Sequence, residues 1–277
     1  MGRAHLRQSR PAAAASARPL LPDRVRPLAG GLLACCAVIV AALGALFAHQ
    51  TRADWFDHAV DAPIIAWFSG HQGFASWLAA PGSLIPAGVL TAAIAIGCVL
   101  AGRLNGAFLA LAAVPVSEAI SEGLLKPLVH RTYLGGVAYP SGHTTAISAL
   151  TATLIVLLLL SRRPVRARAM RRLSVLIPAA ACVVGVGVAI GLIGLRWHYF
   201  TDIVAGAAVG IGTVCGLALL LDLAAVRRWF ARERHERHER HRSARKLLSS
   251  GRGTGPAEVS GRAGPQLPEL IRGRAPV

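Results

Sequence analysis

Apolar residues gather into six long runs, at residues 29–48, 84–101, 107–125, 143–160, 173–195 and 202–221. Each is long enough to cross a hydrocarbon core about 30 Å thick as a helix. The pattern predicts an all-α, polytopic membrane fold with six transmembrane helices. The first run is too long for the apolar part of a signal peptide, and Leu46-Phe47-Ala48 is a poor cleavage site. Residues 50–81 are polar and aromatic, with Asp54, Asp57, Asp61, Trp55, Trp67 and Trp77. Within them, residues 59–68 read as a short amphipathic helix at the interface. Gly102-Arg103-Leu104-Asn105 is a tight connection, residues 127–140 are a loop, and residues 196–201 are a short polar link.

The polar segments set the domain plan. Residues 1–27, rich in Arg, Ala and Pro, read as a disordered basic arm; residues 28–226 form the membrane domain; residues 227–277 form a basic, largely disordered tail. Arginines concentrate in the arm, the Gly102 connection, residues 161–172 and the tail. Basic segments stay on the cytoplasmic side, so the chain is expected in the cell membrane with both termini inside. The loops at Asp54, at 126–143 and at 196–202 then face outward together.

Composition agrees. With 54% hydrophobic residues and mean hydropathy +0.52, the chain is too apolar for an ordinary soluble domain. The net charge of +17 invites a nucleic-acid partner. The arginines, however, border apolar runs, so anionic lipid headgroups are the expected partner and nucleic acid is not. Cys35, Cys36, Cys98, Cys182 and Cys215 all lie inside apolar runs and read as small buried hydrophobes. The Glu-Arg-His triplets at 233–241, with His235, His238 and His241, read as a solvated helical face rather than a metal site.

Candidate chemistry sits in the outward loops. In Tyr139-Pro140-Ser141-Gly142-His143, Pro140 and Gly142 make a turn and Ser141 caps the helix after it. Backbone N–H groups of Ser141, Gly142 and His143 then converge at a helix start, a geometry that suits a phosphate. His143 adds a proton donor. Glu118, Glu122 and Lys126 recur at a spacing of four and share a helical face, so Glu122 is expected to position Lys126. Asp202 follows His198 by four residues, and a carboxylate on one imidazole nitrogen leaves the other free as nucleophile or base. Cations and backbone donors of this kind hold a phosphoryl group's oxygens. No spacing suggests a metal, and no cofactor is expected.

This arrangement resembles the type 2 phosphatidic acid phosphatase (PAP2) superfamily. Its three motifs run Lys-x6-Arg-Pro, Pro-Ser-Gly-His and Ser-Arg-x5-His-x3-Asp, and the resemblance covers residues 107–221. The second motif is complete at residues 140–143, and the His-x3-Asp part of the third at His198 and Asp202. The resemblance implies metal-independent hydrolysis of a lipid phosphate or diphosphate through a phosphohistidine. It assigns phosphate binding to Lys126, Ser141 and Gly142, general acid catalysis to His143, nucleophilic attack to His198, and the orientation of His198 to Asp202. Two departures stand out: Tyr133-Leu134 replaces Arg-Pro, and Gly191-Leu192 replaces Ser-Arg. Arg131 and Arg196 are expected to rebuild the phosphate clamp from shifted positions. The alternatives are a lipid phosphotransferase, or a lipid-binding or transport protein with an eroded site.

Overall fold

A computed structural model describes residues 19–160 and 168–224. The expectations for residues 1–18, for residues 161–167 and for the tail with its histidine triplets lie outside these described residues.

Nine helices and one hairpin form the described domain. They are α1 (Arg26–Phe47), α2 (Trp55–Phe68), α3 (Gln72–Ala79), α4 (Leu84–Leu100), α5 (Leu104–Glu118), α6 (Lys126–Val129), α7 (Gly142–Ile155), α8 (Arg168–Gly194) and α9 (Phe200–Ala224). Strands β1 (Thr132–Tyr133) and β2 (Gly136–Val137) pair antiparallel. Six helical stretches are long and apolar enough to span a membrane: Arg26–Phe47, Gln72–Leu100, Leu104–Val129, Gly142–Leu160, Ala169–Gly194 and Phe200–Ala224. The all-α, six-span architecture predicted from hydropathy is therefore present.

The differences lie at the ends of elements. Helix α2 starts four residues before the expected 59, because Asp54 accepts from the Asp57 N–H at 2.7 Å and caps it. The packed domain reaches back past residue 28. The backbone N–H groups of Leu20 and Leu21 donate to the Asp222 carboxylate at 2.6 and 3.0 Å, and both side chains are buried. Asp222 thus ties the entry to α1 to the far end of α9. The expected loop at 127–140 holds α6 and the hairpin, whose turn places Leu134 and Gly135 at positive φ. That pair of left-handed residues closes a two-residue hairpin with the right twist.

Close packing of α7 on α9 fixes the centre of the bundle. Gly206 and Gly210 sit four apart on α9, the small-xxx-small arrangement that lets two backbones approach. A Cβ at Gly206 would collide with the Ser141 carbonyl and Thr144 Oγ1; one at Gly210 would lie 2.5 Å from the Thr145 carbonyl. Thr145 Oγ1 donates to the Ser141 carbonyl at 2.8 Å and contacts the Gly206 carbonyl at 3.2 Å. These contacts hold the start of α7 against the start of α9.

The loops at that end are knitted together. His49 N–H donates to the Val129 carbonyl at 2.8 Å, Thr132 N–H to Gln50 at 2.9 Å, and Ser141 N–H to Asp202 at 3.1 Å. Trp55 and Trp67 on α2 and Trp197 on the link between α8 and α9 are exposed, the residue type that gathers at a membrane interface.

Candidate active site

His198 lies on the link between α8 and α9 and is buried. Its Nδ1 sits 2.8 Å from the Ala138 carbonyl. A carbonyl only accepts, so this contact assigns the proton to Nδ1 and leaves the Nε2 lone pair unprotonated. Burial pushes the His198 pKa down to about 3; the Ala138 carbonyl opposes this, while the charges of Lys126 and His143 add to it. Lys126 and His143 are therefore close enough to His198 to act on its titration. At neutral pH the imidazole is uncharged, the form that attacks an electrophile.

His143 is the second residue of α7 and half-buried, with its ring edge-on to Trp197 at a centroid distance of 5.8 Å. Ser141 caps α7 through the Thr144 N–H, as expected, at 3.5 Å. One detail is corrected: the Ser141 N–H donates to the Asp202 carbonyl and is not available to a ligand. The N–H groups of Gly142 and His143 head the helix and have no intrahelical acceptor.

Lys126 joins them from the third span. It is half-buried and pairs with Glu122 at 2.8 Å, so the pairing expected from the spacing is made. Residues Ala119–Leu125 form a π-helical stretch, a local widening often found at functional sites. A Cβ on Gly142 would lie 2.6 Å from Glu122 Oε1 and 3.2 Å from Glu118 Oε2. A side chain there would push the two carboxylates aside; they rest against the positive end of the α7 dipole.

Two expectations about charge are overturned. Asp202 does not orient the His198 ring. Its Oδ1 accepts from Arg131 Nη1 at 2.8 Å and its Oδ2 from the Tyr199 N–H at 3.0 Å, so it caps the start of α9. The carbonyl of Ala138 does the orienting instead. Arg131 does not reach toward a ligand either. Its fully buried guanidinium donates to Asp202, to Asp57 Oδ2 at 2.5 Å and to Thr201 Oγ1 at 2.7 Å, and it stacks between Phe47 and Tyr199. Burial pulls the Arg131 pKa down, but the two carboxylates outweigh it and raise it. Asp57 completes the network by accepting from the Thr201 N–H at 2.9 Å.

Arg196 is exposed, at φ 58, and lines a separate cavity beside the His198 link. Sequence reasoning missed Asp57 as a structural partner, although Asp57 and Asp61 share a helical face four apart. It also missed Ala138, whose contribution is a backbone carbonyl with no side-chain signature. Among the described residues no group of three or more His, Cys, Asp or Glu side chains is placed to hold a metal.

Comparison of the chain with curated proteins and with solved structures gave no match. The family model of the PAP2 superfamily matches residues 34–225, a stretch that contains all six spans in whole or part and every residue of the site. The chain belongs to the PAP2 superfamily, a membrane family with phosphatase-type chemistry on phosphate esters.

Proposed function

We propose that this protein hydrolyses a lipid phosphate or diphosphate, of polyprenyl or phosphatidyl type, at the extracytoplasmic face of the cell membrane through a phosphohistidine. The observation that carries the reading is His198, neutral, held through Nδ1 by the Ala138 carbonyl, and within electrostatic reach of Lys126 and His143. His198 Nε2 attacks phosphorus, the bond from phosphorus to the leaving oxygen breaks, and His143 protonates that oxygen. Water then attacks phosphorus, His143 takes the water's proton, and the bond from phosphorus to Nε2 breaks, releasing phosphate and neutral His198. Lys126 and the first N–H groups of α7 stabilise the charge on the phosphoryl oxygens.

The lipid part has a place to lie. A cavity of about 550 Å³ between α1, α7, α8 and α9 is lined almost wholly by apolar side chains. Its lining runs from Thr144, next to His143, to Leu160, roughly 24 Å along a helix. The face is supported by the bulk of the arginines: those in residues 1–27, at Arg103, in residues 161–172 and in the tail border the opposite ends of the spans, against Arg52, Arg131 and Arg196 at the site end.

A second reading, a lipid-binding protein with an eroded site, draws on the capture of Arg131 by Asp57 and Asp202, which leaves the clamp short of an expected cation. One assay separates the two. Purified protein in detergent with a chelator is given a panel of lipid phosphates and diphosphates. Phosphate release that disappears in His198→Ala supports the enzyme. No release from any lipid, with binding retained, supports the second reading.

A further inference from the structure

A cavity of about 580 Å³ opens among the loops that carry the nucleophile. Its wall includes Arg52, His58, Asp61, Tyr133, Arg196 and Tyr199. Arg196 and Tyr199 flank Trp197 and His198 on one short link, so the cavity borders the segment that carries His198, whose own side chain is not part of its wall. The volume is that of an ordinary small-ligand site. We infer that this cavity is a second anion subsite, taking a phosphate group that is either a further phosphate in the substrate head or free inorganic phosphate.

The chemistry of the wall selects an anion. Arg52 and Arg196 are exposed, and neither pairs with a carboxylate among the described residues. Two guanidiniums facing one cavity repel each other unless an anion lies between them, and their planar forks match phosphate oxygens. His58 and the two tyrosines add further donors. The one acidic member, Asp61, is buried, with Oδ1 making no hydrogen bond. Burial and then the neighbouring Asp57 push its pKa up to about 7, with the Phe200 N–H and Arg131 opposing and Asp202 adding to the rise. A protonated Asp61 presents a donor where an ionised one would repel. Tyr133 and Tyr199 lie against each other, centroids 4.2 Å apart, and burial raises both hydroxyl pKa values, so both remain donors.

The assignment to a substrate phosphate rests on the phosphatase reading; the subsite itself does not. The full-length protein in detergent is titrated with inorganic pyrophosphate and its thermal midpoint followed, in a Lys126→Ala background so that binding beside His198 is weakened. Adding Arg52→Ala and Arg196→Ala together is expected to raise the half-saturating concentration about tenfold or more, the loss of two charge-assisted donors. An unchanged half-saturation overturns the inference. The same pair of substitutions in the otherwise wild-type chain gives the result if Lys126→Ala does not fold. Kinetics with a C15 prenyl monophosphate and its diphosphate then assign the source. A KM that rises selectively for the diphosphate points to a substrate phosphate. Relief of inhibition by inorganic phosphate points to the free ion. If the wild type turns over neither lipid, the phosphatase reading fails while the titration still decides the subsite.

Discussion

Arg131 Nη1 lies 2.8 Å from Asp202 Oδ1, with both side chains fully buried. The pair joins the loop after α6 to the first turn of α9, four residues beyond His198. Because Asp202 also holds the Tyr199 N–H, the ion pair fixes the backbone on which His198 is carried. The carboxylate acts on the histidine through the chain, not through the ring.

Removing Arg131 leaves Asp57 and Asp202 buried without a partner. Arg131→Ala is expected to cost about 3–5 kcal/mol, read as a large fall in thermal midpoint. Arg131→Lys restores one charge but not the fork that reaches both carboxylates, so it is expected to fall between. A wild-type midpoint for Arg131→Ala would place the guanidinium elsewhere.

The six spans were legible because twenty apolar residues in a row leave the backbone few options in lipid. The Pro-Ser-Gly-His turn was legible because Pro, Ser and Gly each have a local reason to be there. Arg131 was not. Its partners lie 71 and 74 positions away, and local spacing carries no information about such pairs. Asp202 illustrates the same limit: the i+4 spacing allowed a contact with His198, but a buried guanidinium offered the carboxylate a stronger partner. Leu20 and Leu21 were assigned to the arm because their neighbours are basic, and only Asp222 explains their burial.

Glu122 holds Lys126 at 2.8 Å. Glu122→Gln removes the charge but keeps the shape. The expected outcome is a reduced rate of phosphate release with unchanged yield and thermal midpoint. Lost yield with normal specific activity would make the pair structural only.

Close approach at Gly206 gives a packing test. Gly206→Ala forces its Cβ onto the Ser141 carbonyl, which is expected to destabilise by about 1–3 kcal/mol and to shift the Pro140–His143 turn. Gly30→Ala, where nothing lies within 4 Å, serves as the control. Equal midpoints for the two variants would contradict the tight α7–α9 packing.

His198 makes a pH prediction with a definite sign. In the unfolded chain a histidine takes up its proton near pH 6.5, whereas folded His198 does so only near 3. The unfolded state therefore binds more protons between these values, and stability falls as pH drops from about 6.5 toward 3. His198→Gln is expected to flatten this part of the profile, measured as thermal midpoint between pH 7 and 5. An identical slope would mean the ring is not held neutral.

Orientation is testable at the hairpin. Gly136 is exposed and has room for a side chain. Gly136→Cys is expected to react with an impermeant thiol reagent added to intact cells. Labelling only after lysis would place the site on the cytoplasmic side.

The most direct test of the account is a covalent trap. Full-length protein is mixed with a lipid phosphate labelled in its reacting phosphoryl group, quenched with alkali within one turnover, and digested. The account predicts an alkali-stable, acid-labile label on the peptide that contains His198, absent from His198→Ala along with turnover. Turnover that continues in His198→Ala, or a label carried by another residue, would contradict it.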